Sequence, residues 1–313
     1  MKITKILITG GAGYLGSMLA TKLVYMNYHV TVVDILKYDK NSISHLFGNK
    51  KFKFILGDIR DKNCIKKIVK DKDFIFPLAA LVGAPLCEKF KMNTLKTNVF
   101  SIKSLIKYLK PSQKIIYPTT NSGYGVGKKN KYCDENSPLN PISLYGQSKA
   151  EAEKIILTHK NSICFRLATV FGYSYRMRTD LLVNNFVEKA VKKKELQLFE
   201  PYFRRNYIHV NDVTSAFVFA IKNFNKLKSQ TYNLGLSSAN LTKLALAKKI
   251  KKKIKDLKIS IIKNKSDPDK RDYYVSNKKI EKAGFKPQIS LEEGIDELVK
   301  IFTYAKVKFK NNY

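Results

Sequence analysis

The sequence predicts an α/β fold, a doubly wound parallel sheet joined to a smaller, discontinuous C-terminal domain, and three observations predict it. Short β-rich runs alternate with helical stretches, the first run ends in a glycine turn that opens a helix, and the alternation lapses in two later stretches. The 313 residues can bury a full core, and 44% hydrophobic with 12% aromatic residues excludes a disordered chain despite 27% charged residues.

The runs Ile3 to Thr9, His29 to Asp34, Phe52 to Leu56, Phe74 to Leu78, Lys114 to Pro118 and Ile163 to Val170 read as strands. Several are apolar almost throughout, as strands covered by helices on both faces are. Between them, Tyr14 to Met26 and Val99 to Leu109 carry apolar residues at three- and four-residue spacing, the period of a helix. After Gly172 the regularity lapses, and Arg, Asn and Tyr become frequent up to Asn206. A second shift follows Asn233, where Lys-rich helices and a Pro/Asp loop around Pro268 replace the strands. Residues 1–170 and 207–235 are therefore assigned to the sheet domain, and 171–206 and 236–313 to a smaller domain over its carboxyl edge. Within the latter, Lys248 to Lys258 keeps Ile250, Ile254 and Leu257 at helical spacing and predicts an amphipathic helix with a solvated basic face.

The formal charge of +34 raises nucleic-acid binding as a function class. Only seven of the 59 basic residues are Arg, and the Lys are spread along the whole chain, so no specific nucleic-acid partner is expected. Apolar stretches such as Ile6 to Ile8 and Ala216 to Ile221 are far too short to span a bilayer, and the N-terminus has no signal-peptide pattern. A cytoplasmic protein without membrane association is expected. Cys64, Cys87, Cys133 and Cys164 show no ligand spacing, and the four histidines are isolated, so no metal is expected.

The glycine turn carries the first functional signal. Gly10, Gly13 and Gly16, with Tyr14 and Leu15 between them, close a strand and open a helix, the context of a dinucleotide fingerprint. Gly11, Gly13 and Gly16 satisfy a second phasing of the same motif. Missing side chains let the backbone approach a diphosphate, whose charge is favoured by the amides of the helix start. Asp34 ends the next strand, 18 residues after Gly16, where a carboxylate can accept from ribose hydroxyls and would repel a 2′-phosphate. NAD is expected over NADP. Asp58 and Ile59, after the third strand, are placed against the adenine.

Four Tyr-x-x-x-Lys pairs occur, at Tyr124, Tyr145, Tyr274 and Tyr304. Position singles out Tyr145, which enters a helix 25 residues beyond Thr120 at a strand end. Residues i and i+4 share a helix face, so the Lys149 ammonium can stabilise a Tyr145 phenolate and make it a usable base near neutrality.

Six segments, in this order, carry a resemblance over essentially the whole chain: Thr9 to Gly16, Leu78 to Ala80, Tyr117 to Gly125, Tyr145 to Lys149, Arg166 to Gly172 and Arg205 to Val210. The chain resembles the extended short-chain dehydrogenase/reductase family of NAD-dependent sugar-nucleotide epimerases, dehydratases and dehydrogenases, built on a Rossmann sheet. The resemblance implies Thr120 as hydrogen-bonding partner of Tyr145, and Leu78, Ala79, Ala80, Asn98 and Val170 as cofactor lining. The 4,6-dehydratases of the family carry an Asp-Glu pair where this chain has Asn121 and Ser122, and the epimerising GDP-fucose-synthase type carries Cys at the position of Asn121. What remains is hydride removal at a sugar carbon, with the ketone released or the hydride returned to the opposite face as in a 4-epimerase.

Further segments, Pro77 to Cys87, Tyr175 to Asn184, Leu236 to Lys243 and Asp267 to Tyr273, look like the branch that oxidises GDP-D-glycero-α-D-manno-heptose at C4 in bacterial capsular pathways. That implies a GDP-linked sugar as substrate, touched by Thr120, Asn121 and Ser122 and held on its diphosphate side by Asn184 and Arg205; a homo-oligomer is expected. Arg usage points to an anionic ligand independently, because Arg176, Arg178, Arg204, Arg205 and Arg271 are five of only seven, all in or bordering the smaller domain. Of these, Arg178, Arg204, Arg205 and Arg271 are taken as substrate residues. A dinucleotide sensor or nucleic-acid-binding protein on the same fold is the non-enzymatic alternative, against which the intact Thr120, Tyr145 and Lys149 speak.

Overall fold

The computed structural model describes residues 4–127, 131–263, 266, 271–305, 309 and 311–312. Lys128 and Lys308, two of the lysines in the Tyr-x-x-x-Lys pairs, and the stretch 267–270 with its Pro268 lie outside the described residues. From the N-terminus, β1 (Lys5–Thr9) leads through the glycine turn into α1 (Tyr14–Tyr25), followed by β2 (His29–Asp34), β3 (Phe52–Leu56), α2 (Lys62–Ile68) and β4 (Phe74–Pro77). Helices α3 (Ala84–Lys89), α4 (Lys91–Leu95) and α5 (Ser101–Tyr108) precede β5 (Lys114–Thr120), β6 (Tyr132–Cys133), α6 (Leu144–Leu157), β7 (Ser162–Leu167) and β8 (Thr169–Phe171). Next come α7 (Leu182–Lys193), β9 (Glu195–Leu198), β10 (Arg204–His209), α8 (Val210–Lys222), α9 (Phe224–Leu227) and β11 (Gln230–Leu234). The chain closes with β12 (Asn240–Thr242), α10 (Lys243–Lys253), β13 (Lys258–Ile261), β14 (Tyr274–Val275), α11 (Lys278–Lys282) and α12 (Leu291–Tyr304).

Seven strands form the central sheet in the order β3-β2-β1-β4-β5-β7-β11, every adjacent pair parallel. Its two faces are covered because the strands bury both. Ile6 and Ile8 of β1 pack with Leu19 and Leu23 of α1 and Phe217 of α8, while Leu7 packs on the opposite face with Leu105 of α5 and Ile156 of α6. Each such side chain is worth about 1.5–3 kcal/mol of burial. The strand order reverses between β1 and β4, which opens a crevice at the carboxyl ends of the strands, where sheets of this kind take ligands. A second core gathers Phe171, Val183, Val187, Leu196, Ile250 and Leu298 outside the central sheet, beside the small sheet β12-β10-β8.

Three expectations need correction. The run Ile163 to Val170 is two strands: Ala168 still donates its amide to the Leu234 carbonyl at 2.9 Å, and beyond it the chain leaves the central sheet to pair β8 with β10. The helix at Val99 to Leu109 is entered through a π-helical turn at Lys96–Phe100, and α5 starts at Ser101. The helix assigned to Lys248 to Lys258 ends at Lys253, and Lys258 instead starts β13, which pairs with β9. Ile250, Ile254 and Leu257 do all enter the second core, so their spacing reported burial correctly and conformation only in part. Among the described residues no helix is long and apolar enough to cross a membrane.

Candidate active site

A cleft of about 660 Å³ opens along the carboxyl ends of the central strands. Gly10, Gly13, Tyr14, Leu15 and Gly16 line it, whereas Gly11 faces the side chain of Val32, so the phasing through Gly10 is the one that meets the cleft. Gly10 has φ +70°, and a Cβ there would sit 2.6 Å from the Ala79 backbone. A Cβ on Gly16 would sit 2.3 Å from the Gly10 carbonyl oxygen. Only glycines let the turn pass this close to the neighbouring loop and to its own helix. No side chain caps α1, and no acidic residue stands in its first turn, so its amide end is left for an anion.

Asp34 lines the cleft with its carboxylate already oriented: one oxygen accepts from the Ala12 amide at 3.0 Å, the other from the Leu36 amide at 2.8 Å. Burial raises its pKa above the ordinary carboxylate range, and those backbone bonds pull it back. Asp58, Ile59, Leu78, Ala79, Ala80 and Val170 line the same cleft. The Asp58 carboxylate is taken by Arg60, whose hydrogen bonds hold its pKa low.

Strand β5 delivers Thr120, whose Oγ1 accepts from the Ser122 amide at 3.1 Å and turns the chain. Ser143 caps α6 by accepting from the Gly146 amide at 3.2 Å, which starts the helix just before Tyr145 and puts Tyr145 and Lys149 on one face. Thr120, Tyr145 and Lys149 all line the cleft. Tyr145 is half-buried, while Lys149 is only 5% exposed. Burial pushes the Lys149 ammonium down to about 7, and the neighbouring Cys164 and Glu153 draw it upward.

Ser122, Arg178, Arg205 and Arg271 also line the cleft. Arg205 is 1% exposed and donates to the Arg204 carbonyl at 2.8 Å; Arg271 donates to Ser122 Oγ at 3.4 Å. Arg178 is engaged by Asp180 in a buried ion pair.

Four expected site residues do not line the cleft. Asn184 is fully buried: it accepts from the Gly172 amide at 3.0 Å and donates to the Arg178 carbonyl at 2.9 Å, so it fixes the turn that carries Arg178. Asn98 sits in the π turn, accepts from the Leu81 amide at 2.9 Å, and donates to Ser148 Oγ at 3.1 Å, tying the 78–81 loop to α6. Arg204 is held by Asp272 at 2.7 and 2.9 Å and stacks 4.5 Å from the Tyr274 ring centroid. Asn121 is 1% exposed, because the turn after Thr120 aims Ser122 at the cleft and sends Asn121 inside.

Two residues escaped the expected set. Arg176 lines the cleft at 2% exposure, 4.7 Å from the Tyr38 ring centroid, with its Nη2 lacking a hydrogen-bond partner. The scarcity of Arg already marked it. Tyr117 accepts a hydrogen bond from Lys149 Nζ at 2.6 Å, and nothing in its apolar strand sequence distinguishes it from a core aromatic.

Residues 6–235 match the family described as the NAD dependent epimerase/dehydratase family. Over 307 residues the chain is 29% identical to a putative UDP-glucose 4-epimerase of Methanocaldococcus jannaschii, covering 94% of this chain and 97% of that protein. It is similar to the UDP-glucose 4-epimerase of Thermotoga maritima solved with UDP-glucose, at 26% identity and a TM-score of 0.83, with 96% and 99% of the two chains covered. The dTDP-glucose 4,6-dehydratase of Bacillus anthracis, solved in complex with NAD, superposes with a TM-score of 0.84 over 97% of each chain; at 24% identity this likeness speaks for the fold alone.

Proposed function

Since the chain belongs to the NAD-dependent epimerase/dehydratase family, we propose that it oxidises a nucleotide-linked sugar at C4, and that the sugar is GDP-D-glycero-α-D-manno-heptose of a bacterial capsular pathway. The observation that carries this reading is that Thr120, Tyr145 and Lys149 line one cleft with both the glycine turn and an arginine wall. The cleft fits the cofactor, since side chains on Gly10 and Gly16 would collide with backbone and Asp34 lines it with a carboxylate fixed by two backbone amides.

NAD, when bound, supplies the hydride acceptor. The glycine turn and the amide end of α1 hold its diphosphate, and Asp34 holds the adenosine ribose. Tyr145 takes the proton of the C4 hydroxyl, Thr120 hydrogen-bonds the same oxygen, and Lys149 holds the nicotinamide ribose while its charge stabilises the phenolate. The carbon thus loses a hydride and its oxygen a proton, leaving a ketone. Arg205 and Arg271 hold the substrate diphosphate, for which a planar guanidinium is suited. In this reading residues 1–170 and 207–235 carry the cofactor and 171–206 with 236–313 the sugar nucleotide.

The GDP and heptose assignments are supported by the resemblance of the segments around Pro77, Tyr175 and Leu236. Asn121 and Ser122, in place of an Asp-Glu pair, speak against 4,6-dehydration. A 4-epimerase is the second reading, favoured by the M. jannaschii relative. Mass spectrometry after incubation with NAD, with GDP-heptose and UDP-glucose in parallel, tests both. Loss of two hydrogens from GDP-heptose is expected; an unchanged mass with an altered sugar from either substrate speaks for the epimerase.

Cofactor choice gives a separate test. NAD should bind more tightly than NADP, and Asp34→Ser should narrow that preference by at least about tenfold, because it removes a carboxylate facing the 2′-phosphate. Equal affinities of the unmodified protein for the two, measured by titration, would contradict the role of Asp34.

A further inference from the structure

We propose that Tyr117 is a positioning residue for the reaction: from beneath the cleft its hydroxyl accepts a hydrogen bond from the Lys149 ammonium and keeps that lysine charged where it meets the cofactor. This rests on the reading that Lys149 serves a bound NAD. Tyr117 lies on β5, three residues before Thr120, is 2% exposed, and does not line the cleft. Lys149 Nζ donates to Tyr117 Oη at 2.6 Å and stands 4.0 Å from the ring centroid, so one aromatic side chain offers the ammonium both an acceptor and a π face.

A buried ammonium needs such a partner, because burial favours the neutral amine. The titratable groups around it are few. Tyr117 faces it from β5, Cys164 from β7, Cys87 from α3 and Glu153 from one turn further along α6; Tyr145 faces Tyr117 itself. Glu153 is already engaged by Arg166 at 2.7 Å. Burial holds the Cys164 thiol and the Tyr117 phenol well above their usual ranges, so both stay neutral. Tyr117 is thus a neutral acceptor, and its bond is stronger to the ammonium than to the amine.

The sign follows from charge. A protonated Lys149 repels the cationic nicotinamide of NAD but not the neutral ring of NADH. The preference for NADH over NAD contributed by Lys149 is therefore full at low pH and lost as pH rises through its transition. Tyr117→Phe removes only the hydroxyl and should move that transition down by about one pH unit, the usual weight of a charged hydrogen bond.

The experiment is titration of NAD and of NADH across the neutral range with the unmodified protein, Tyr117→Phe and Lys149→Met, and with thermal unfolding as a check on packing. The ratio of the two dissociation constants should show a transition in the unmodified protein, the same transition at lower pH in Tyr117→Phe, and none in Lys149→Met. A Tyr117→Phe transition at the original pH, or above it, overturns the proposal. Should that variant not fold, or should neither cofactor bind, ¹³C NMR of the unmodified protein decides. The Lys149 side-chain methylene, identified by its loss in Lys149→Met, should be shifted upfield by the Tyr117 ring, and an ordinary position overturns the contact. No sugar is present, so failure to oxidise GDP-heptose leaves this test intact.

Discussion

Tyr145→Phe is expected to lower turnover by at least about two powers of ten, the usual weight of a general base, while cofactor binding and unfolding midpoint stay near those of the unmodified protein. The ring remains to fill its half-buried place at the start of α6, and only the hydroxyl proposed to take the C4 proton is lost. Tyr304 stands in the same Tyr-x-x-x-Lys spacing but is 79% exposed near the end of α12, so Tyr304→Phe should leave turnover unchanged. Steady-state rates of the two variants with the same sugar nucleotide make the comparison. Near-normal turnover in Tyr145→Phe would remove Tyr145 from the chemistry.

The largest expected effect on stability comes from Arg166→Ala. Arg166 donates to Glu153 at 2.7 and 3.1 Å, to Tyr124 Oη at 3.0 Å and to the Glu135 carbonyl at 3.2 Å. The ion-paired side chains are 8% and 4% exposed. Truncation strands Glu153 as a buried, unpaired carboxylate, which typically costs about 3–5 kcal/mol. Urea unfolding should show the loss, and removing both charges together, as in Arg166→Met with Glu153→Leu, should recover most of it. An unchanged midpoint in Arg166→Ala would mean that the pair contributes nothing in place. Glu153 lies one turn beyond Lys149 on α6, so this network also braces the helix that presents Tyr145 and Lys149.

Much of the fold was legible because it follows from local pattern. Strands β2 and β3 begin and end at the residues expected, and α1 begins at Tyr14 directly after the glycine turn. Expectation failed where distant partners decide the conformation. The run Ile163 to Val170 is divided after Ala168 because β8 has β10 to join, and Lys258 is a strand residue because β9 is there to pair with it. The site divides in the same way. Motif position and family resemblance pointed to Thr120, Tyr145, Lys149 and the glycines, which line the cleft, and equally to Asn98 and Asn184, while Arg usage pointed to Arg204; the bonds of these three hold neighbouring loops instead. A motif marks that a side chain is needed, not which way it points. Tyr117 opens one of the quoted segments, but its role was not legible there: its hydroxyl has a partner brought from α6, and no spacing along β5 records that.

The proposed reaction removes the hydrogen on C4 and keeps it off the sugar, so its fate can be followed with GDP-heptose deuterated at C4. After incubation with NAD, the released sugar nucleotide should have lost the deuterium together with one hydroxyl hydrogen, and the deuterium should be recovered on the reduced cofactor. A product that still carries the deuterium at C4, isomeric with the substrate and unchanged in mass, would contradict the proposed oxidation and make the protein a 4-epimerase.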